Sequence, residues 1–211
     1  MKKALLFTLA CCITICSFAQ KNKNKHESII RGDQPITWLG LDFSQARIIG
    51  AATQWKDVGE ITDDQMRDKY IPAWNDFFLN EMKKYDVAKY VERDHVSYAI
   101  DVTRRQNNRK YSKATFSDDP EDFQRLDEQK VASIVKSYDF MGKTGVGLIF
   151  VIEGMSKGRE EASAWVTFVD MNSKTVLQTQ RVIGRAGGFG FRNYWAKSFL
   201  NVLKEMSGAM R

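Results

Sequence analysis

A run of apolar residues in the second half of the chain constrains the fold more than any other feature. Residues 146 to 152 read Val-Gly-Leu-Ile-Phe-Val-Ile, with no polar side chain among them. A strand with one face in water alternates apolar and polar residues, whereas a strand covered on both faces is apolar throughout. We therefore expect a central strand here, in a sheet with helices packed on it.

Four further segments have the alternation that is typical of strands. The first begins at Ile36, and the second runs from Val96 to Thr103. Two more, Ala162 to Val169 and Thr175 to Ile183, are separated by polar residues at 172 to 174 that favour a tight turn. We expect the last three strands to form a meander.

A capping box at Thr62 and Gln65 predicts the start of a long amphipathic helix. Its apolar residues recur at helical spacing as far as Tyr85, and Pro72 is expected to kink the helix or divide it.

Two more helices are predicted farther along. Asp119 before Pro120 is typical of an N-cap followed by proline in the first turn, and this helix is expected to continue to about Gly142. The last helix buries a stripe of large side chains: Trp195, Phe199, Val202, Leu203 and Met206. The predicted order is β-α-β-α-β-β-β-α, an α+β fold with a mixed sheet of about five strands and helices packed on it.

Residues 1–19 have the pattern of a cleavable signal peptide. Lys2 and Lys3 precede an apolar run, and the small residues Ser17 and Ala19 stand before Gln20, so we expect cleavage after Ala19. One alternative is a retained anchor, although the run is shorter than the roughly 20 residues that span a bilayer. The other is a lipid-modified cysteine, for which the leader offers Cys11, Cys12 and Cys16.

Removal of this segment would leave a chain without cysteine, because all three cysteines lie in it. Such a chain has no disulfide and no thiolate nucleophile. Residues 20–35 predict a polar leader, and residues 36–211 predict a single α+β domain. Without Lys2 and Lys3, 30 basic residues stand against 26 acidic ones, and a net charge of +4 does not indicate a nucleic-acid binder. We expect no transmembrane segment in the mature chain.

Two segments resemble a known group of envelope proteins. Residues 39 to 43, Leu-Gly-Leu-Asp-Phe, and the predicted hairpin from Thr167 to Val176 are similar to the α/β domain of the curli-secretion lipoprotein family and to the N-terminal domain of the Tol-Pal translocation protein family. The resemblance implies a non-catalytic accessory protein of the periplasm or outer membrane. Ser173 and Lys174 replace the usual Thr-Gly of that hairpin, and pore formation does not carry over.

A glycine-rich stretch before the last helix is the first candidate site. Glycines allow close approach of a ligand to the backbone, and a helix N-terminus offers free N–H groups to an anion. The candidate anion-binding residues are Arg185, Gly187, Gly188, Gly190 and Arg192. The alternative is a strand-to-helix connection whose glycines only permit positive φ.

A basic cluster is the second candidate, suited to gripping phosphate groups of a lipid or polyanion. It comprises Arg104, Arg105, Arg109, Lys110 and Lys113. The alternative interpretation is a solvated hairpin or loop.

Two carboxylates, Asp42 and Asp101, lie on strands predicted to be adjacent, and their convergence would suit a hydrolase. The alternative is that each of the two carboxylates points to solvent from the face of its strand. His26 and His95 are too few and too far apart for a histidine metal site, and no motif predicts a cofactor or a nucleophile.

The function that these observations favour is a non-catalytic periplasmic or outer-membrane-associated protein. We expect it to bind an envelope protein or an anionic surface through its sheet edge or the glycine-rich stretch. The alternative is a carboxylate-based periplasmic hydrolase that uses Asp42 and Asp101. A small-ligand carrier would need a sizeable pocket.

Export predicts the mature N-terminus. Mass spectrometry of the protein isolated from its native cell should find a chain that begins at Gln20. A chain that retains Met1 in the cytosol would contradict export. A lipid-modified cysteine at the N-terminus would show that the exported protein is tethered to a membrane.

Overall fold

Seven strands form one mixed sheet in the part of the chain that the computed structural model describes, which is residues 32, 34–50, 59–110 and 115–209. The strands are β1 (Ile36–Asp42), β2 (Arg47–Ile49), β3 (Ser97–Tyr98), β4 (Phe116–Ser117), β5 (Val146–Ser156), β6 (Glu161–Asp170) and β7 (Thr175–Arg185). The α-helices are α1 (Asp63–Gln65), α2 (Ile71–Asn80), α3 (Val87–Tyr90), α4 (Asp101–Lys110), α5 (Glu128–Lys136) and α6 (Phe191–Ala209). The predicted signal peptide and residues 20–31 of the polar leader lie outside the described residues.

The centre of the sheet is β5, which has neighbours along both edges. β6 pairs with it in antiparallel orientation over its whole length. Two strands share the opposite edge: β1 runs parallel to the first half of β5, and β2 runs parallel to its last three residues. β3 and β4 flank β1 and β2, and β7 flanks β6. The sheet is thus five positions wide, which confirms the predicted mixed sheet and its central strand.

Helices cover both faces of the sheet. On one face, Trp38 of β1 stacks on Phe78 of α2 at 4.7 Å, and α6 lies so close to β7 that a side-chain carbon at Gly184 would meet the Ser198 carbonyl. The other face carries a buried cluster with α4 and α5: Leu39, Ala99, Val102, Leu126, Val131, Val135, Tyr138, Phe140, Ile149, Val151, Trp165, Val169 and Met171. Each large apolar side chain buried here contributes about 1.5–3 kcal/mol.

Among the described residues, no strand lies beside the outer edge of β1 beyond Trp38, where its pairing with β3 ends. The side-chain amide of Asn107, from α4, takes the place of a strand there. Its oxygen accepts from the N–H of Phe43 at 2.7 Å, and its NH₂ group donates to the carbonyl of Leu41 at 3.0 Å.

Two further buried side chains complete this edge. Asn75 of α2 accepts from the N–H of Leu41 at 2.8 Å and donates to its carbonyl at 3.1 Å. The hydroxyl of Thr103 donates to the carbonyl of Leu39 at 2.6 Å. Because Thr103 and Asn107 are four residues apart on α4, they share one face of the helix, and that face docks against β1.

The predicted strand from Val96 to Thr103 is wrong. Only Ser97 and Tyr98 are extended, and α4 begins at Asp101. The apolar residues of this segment are buried as expected, but their alternation does not distinguish a short strand from a helix start. In the folded chain the helix directs Thr103 and Asn107 at the edge of β1, and their side chains make the hydrogen bonds that a longer strand would have made with its backbone.

The first long helix, which Pro72 is expected to kink or divide, changes its hydrogen-bonding pattern just before Pro72 and continues through it. A π-helical segment, Met66–Tyr70, separates the single turn of α1 from α2, and Pro72 lies in the first turn of α2. The helix ends at Asn80, however, so its predicted extension to Tyr85 is wrong.

The helix predicted after Asp119 is two elements. Asp119 caps a 3₁₀ helix, Pro120–Gln124, and α5 starts afresh after Asp127, whose carboxyl accepts from the N–H of Lys130 at 2.8 Å. Two N-caps, Asp119 and Asp127, thus divide the segment, and α5 ends at Lys136, before the predicted end near Gly142. The β6–β7 hairpin and the last helix with its buried stripe are confirmed.

Loss of a side chain that completes the β1 edge should destabilise the fold. Asn107→Ala leaves the Phe43 N–H buried without a partner, and we expect the free energy of unfolding to fall by about 1–3 kcal/mol. Asn108→Ala is the matched control, because Asn108 is the exposed neighbour on the same helix. Urea denaturation of both variants tests this, and equal losses would contradict the role of Asn107.

Candidate functional site

β7 presents an open outer edge, since β6 is its one strand neighbour within the described ranges. Arg185 stands opposite Glu161, and the N–H of Ala186 donates to the carbonyl of Glu160 at 2.7 Å. In an antiparallel pair, backbone groups alternate between facing the partner strand and facing away. This register directs away from β6 the backbone groups of four residues: Thr179, Arg181, Ile183 and Arg185. We call these four residues the β7 edge.

A groove of about 500 Å³ lies between the β7 edge and the C-terminal half of α6. Its walls include Ile183 and Arg185 of β7 and Asn201 and Glu205 of α6. The side-chain amide of Asn201 donates to the carbonyl of Arg185 at 2.8 Å, which closes one end of the edge. Unpaired main-chain groups beside a helix suit the addition of an extended segment as a further strand.

The glycine-rich connection continues directly from the β7 edge. Gly188 and Gly190 have φ values of 106° and 79°, in the left-handed region that favours glycine. Phe189 stands between them with 86% of its surface exposed, more than any other large apolar side chain in the described part of the chain. An exposed phenylalanine in this position is a ready contact for a partner.

The predicted anion site is only partly assembled. Arg185 ends β7, and the ammonium group of Lys197 lies 3.4 Å from where a side-chain carbon of Gly187 would stand. Arg192 turns away from the connection, because its guanidinium lies over the ring of Phe77 at 5.2 Å. The anion site stays a prediction, with Lys197 as a cation that the sequence did not indicate.

Arg104, Arg105, Arg109 and Lys110 of the basic cluster lie on α4, so their interpretation as part of a hairpin or loop is wrong. Three of its arginines have partners: Asp76 for Arg104 at 2.9 Å, Asp139 for Arg105 at 3.3 Å, and the Ser137 carbonyl for Arg109 at 2.7 Å. These contacts reduce the positive potential available to a ligand. Lys113 and the side chain of Lys110 lie outside the described residues.

The two candidate catalytic carboxylates lie in different environments. Asp101 is exposed and is the first residue of α4, so its placement on a strand is wrong. Asp42 is fully buried at the end of β1, where it does not point to solvent. The hydroxyl of Tyr138 donates to Asp42 Oδ2 at 2.5 Å, and the N–H of Ser44 donates to Oδ1 at 2.7 Å.

Burial raises the pKa of Asp42 above its ordinary value, although the hydrogen bonds from Tyr138 and Ser44 act in the opposite direction. The pKa of Tyr138 is also raised, by burial and by the Asp42 carboxyl. A general acid must reach a substrate atom. A carboxyl enclosed in this way holds the end of β1 in place instead.

Sequence reasoning missed a buried ion pair behind the β7 edge. The guanidinium of Arg181 donates to Glu153 Oε2 at 3.0 Å and lies over the ring of Trp165 at 4.7 Å. Ser163 donates to the same carboxyl oxygen at 2.9 Å, and the N–H of Leu126 donates to Oε1. The available signal was an acid, Glu153, directly after the apolar run of residues 146 to 152. A buried carboxylate needs a partner, and such an acid therefore predicts one.

Comparison with protein-family models and with curated proteins gives no relative. No protein-family model and no curated protein matches this chain. The resemblance to the curli-secretion and Tol-Pal families therefore stays a prediction. In the described ranges, no helix is both long enough and apolar enough to cross a bilayer, and no three His, Cys, Asp or Glu side chains converge to hold a metal ion.

The raised pKa of Asp42 predicts a pH dependence of stability. A carboxyl group whose pKa is higher in the folded chain than in the unfolded chain favours folding most at low pH. Its contribution to the free energy of unfolding falls as pH rises from the unfolded pKa, about 4, through the folded pKa. Asp42→Asn removes the ionisation and keeps both contacts, because the Tyr138 hydroxyl can accept from an amide. We expect the variant to gain stability relative to the wild type as pH rises.

Urea denaturation at intervals from about pH 4 to about pH 8 measures this difference. Asp101→Asn is the control for removing a carboxyl group from the surface. A difference between Asp42→Asn and the wild type that does not change with pH would contradict the assignment.

Proposed function

We propose that this chain is an exported, non-catalytic accessory protein of the cell envelope, periplasmic or outer-membrane-associated. It binds another envelope protein through the β7 edge and Phe189. The observation that carries the proposal is the continuity of an unpaired edge strand with an exposed phenylalanine, since Arg185 ends the strand and Phe189 follows four residues later.

The main chain supplies one part of the binding. Three residues of the β7 edge, Thr179, Arg181 and Ile183, keep backbone groups on the open side, and an added strand would form up to about six hydrogen bonds with them. Each is worth about 0.5–1.5 kcal/mol net. Long edges of this kind are usually blocked in monomers because they promote association.

Phe189 supplies the other part. Burying a phenylalanine side chain contributes about 1.5–3 kcal/mol, and aromatic residues are frequent anchors in protein interfaces. The flanking Gly188 and Gly190 have no side chain that would stand between a partner and the ring. A partner with an extended segment and an apolar pocket would therefore fit both features together.

Three observations support a non-catalytic role in the envelope. The leader before Gln20 has the pattern of an export signal. The two carboxylates that a hydrolase would use are separated into a buried residue, Asp42, and an exposed helix start, Asp101. The resemblance to envelope accessory families, carried by residues 39 to 43 and the β6–β7 hairpin, agrees with this role.

An anionic surface is the second candidate partner. Arg185 and Lys197 lie beside the glycine-rich connection, and basic residues beside an exposed aromatic ring favour contact with anionic lipid. Glu161, directly across from Arg185 on β6, offsets part of this charge. The open edge strand favours the protein partner.

Site-specific photo-crosslinking in the native cell tests the proposal. A crosslinking amino acid at Phe189 or Gln180 should capture one distinct envelope protein. The same amino acid at Lys136, an exposed residue of α5 on the other face of the sheet, is the control and should capture none. Phe189→Ser should weaken capture through Gln180 by about tenfold or more, which corresponds to loss of the buried ring.

Two results would overturn the proposal. Equal capture at Lys136 and Phe189 would show no preferred surface. The second result is that no protein is captured, while the wild type binds anionic vesicles and Arg185→Gln does not. The partner would then be a lipid surface and not a protein.

A further inference from the structure

Two side chains of opposite charge lie at the groove between the β7 edge and α6. Arg185 and Glu205 both line this groove, and both are exposed. Neither side chain takes part in a hydrogen bond, an ion pair or a ring contact with any residue in the described part of the chain. Both charges are therefore free to contact a segment that pairs with the β7 edge.

The other charged residues nearby leave these two side chains without a partner. Glu161 stands opposite Arg185 on β6, but no ion pair joins them. Arg181 also lines the groove, yet its guanidinium is already held in the buried ion pair behind the β7 edge. Lys204 is next to Glu205 in the sequence, and consecutive residues on a helix point in different directions.

The two charges lie at different positions along the groove. The side-chain amide of Asn201 is bonded to the carbonyl of Arg185, so Asn201 marks the end of the groove where β7 ends. Glu205 follows four residues later on α6. One helical turn rises about 5–6 Å, the length of about two strand residues, so Glu205 lies back along β7, towards Val182.

The alternation of side chains along β7 determines which face of the sheet each charge is on. Gly184 packs against α6, so Val182, two residues earlier, also faces α6. Arg181 reaches the ion pair on the opposite face, and Arg185 shares that face. On an added strand, a residue opposite Val182 would therefore point towards Glu205, and a residue opposite Arg185 would lie on the other face.

A second copy of β7 does not supply charges that match. In antiparallel pairing of two β7 edges about Val182, Arg185 would stand opposite Thr179. Pairing about Arg181 would place two arginines opposite each other, and pairing about Ile183 would place Arg181 opposite Arg185. Like charges directly opposite each other are destabilising. The β7 edge therefore favours a strand from a different protein.

We propose that the β7 edge pairs with an antiparallel strand of another envelope protein that has an acidic residue opposite Arg185 and a basic residue opposite Val182, beside Glu205. Antiparallel pairing is the more stable orientation per residue. Because the two strands run in opposite directions, the acid comes first in the partner, and the base follows three residues later. This inference rests on the proposed function, since it specifies the partner of the same edge.

Two peptides of identical composition test this order of charges. Both are rich in threonine and valine; the first contains Glu-x-x-Lys and the second contains Lys-x-x-Glu. In NMR titrations of the isotopically labelled protein, the first peptide should give saturable shifts of the Arg181 and Ile183 amide signals. The second should bind about fivefold or more weakly, because antiparallel pairing would place its charges beside like charges.

Reversal of both charges on the protein should reverse this preference. The double variant Arg185→Glu, Glu205→Lys keeps the net charge, so a change in general attraction does not explain its result. It should fold, because neither side chain contacts another described residue. We expect it to bind the Lys-x-x-Glu peptide more tightly than the Glu-x-x-Lys peptide. Lys136→Gln, on the other face of the sheet, is the control and should keep the preference of the wild type.

The inference is overturned if the wild type binds both peptides equally or binds neither of them. It is also overturned if the double variant keeps the preference of the wild type. Crosslinking at Phe189 in the cell distinguishes these results from failure of the proposed function. Capture of one envelope protein there would leave the proposed function in place and remove only the order of charges, whereas absence of both capture and peptide binding would overturn both.

Discussion

Backbone N–H and C=O groups at a sheet edge bond to groups of the same chain, to water or to a partner, and the two sides of this sheet differ in which of these they use. Along β1, the buried side chains of Asn75, Thr103 and Asn107 bond to the backbone and join α2 and α4 to the sheet. Along β7, the outward backbone groups of Thr179, Arg181 and Ile183 have no strand beside them among the described residues. One side of the sheet is therefore closed by its own chain, and the other is available to a partner.

The closed side also fixes the end of β1. Asn107 holds the N–H of Phe43, and Tyr138 holds the carboxyl of Asp42, so the residues on either side of the β1 terminus are fixed between α4 and the residues that follow α5. The network that closes the β1 edge therefore also joins the end of this strand to the helices on one face of the sheet.

The sequence predicted those parts of the fold in which one periodicity prevails. The apolar run at 146 to 152, the β6–β7 hairpin and the stripe of α6 are read correctly because burial alone specifies them. The strand predicted at Val96 to Thr103 is wrong beyond Tyr98, because alternation over so few residues also fits a helix start. The bonds from Thr103 and Asn107 to β1 and the Glu153–Arg181 pair depend on contacts between segments far apart in the chain, and residue spacing carries no record of those contacts.

Amide hydrogen exchange along β7, measured by NMR on the protein without a partner, tests the open edge most directly. The account predicts alternation: the amides of Gln180, Val182 and Gly184, bonded to β6, exchange slowly, while those of Thr179, Arg181 and Ile183 exchange much faster. Uniform slow exchange at all six positions would show that another segment already covers the edge, and would contradict a surface that is free to bind.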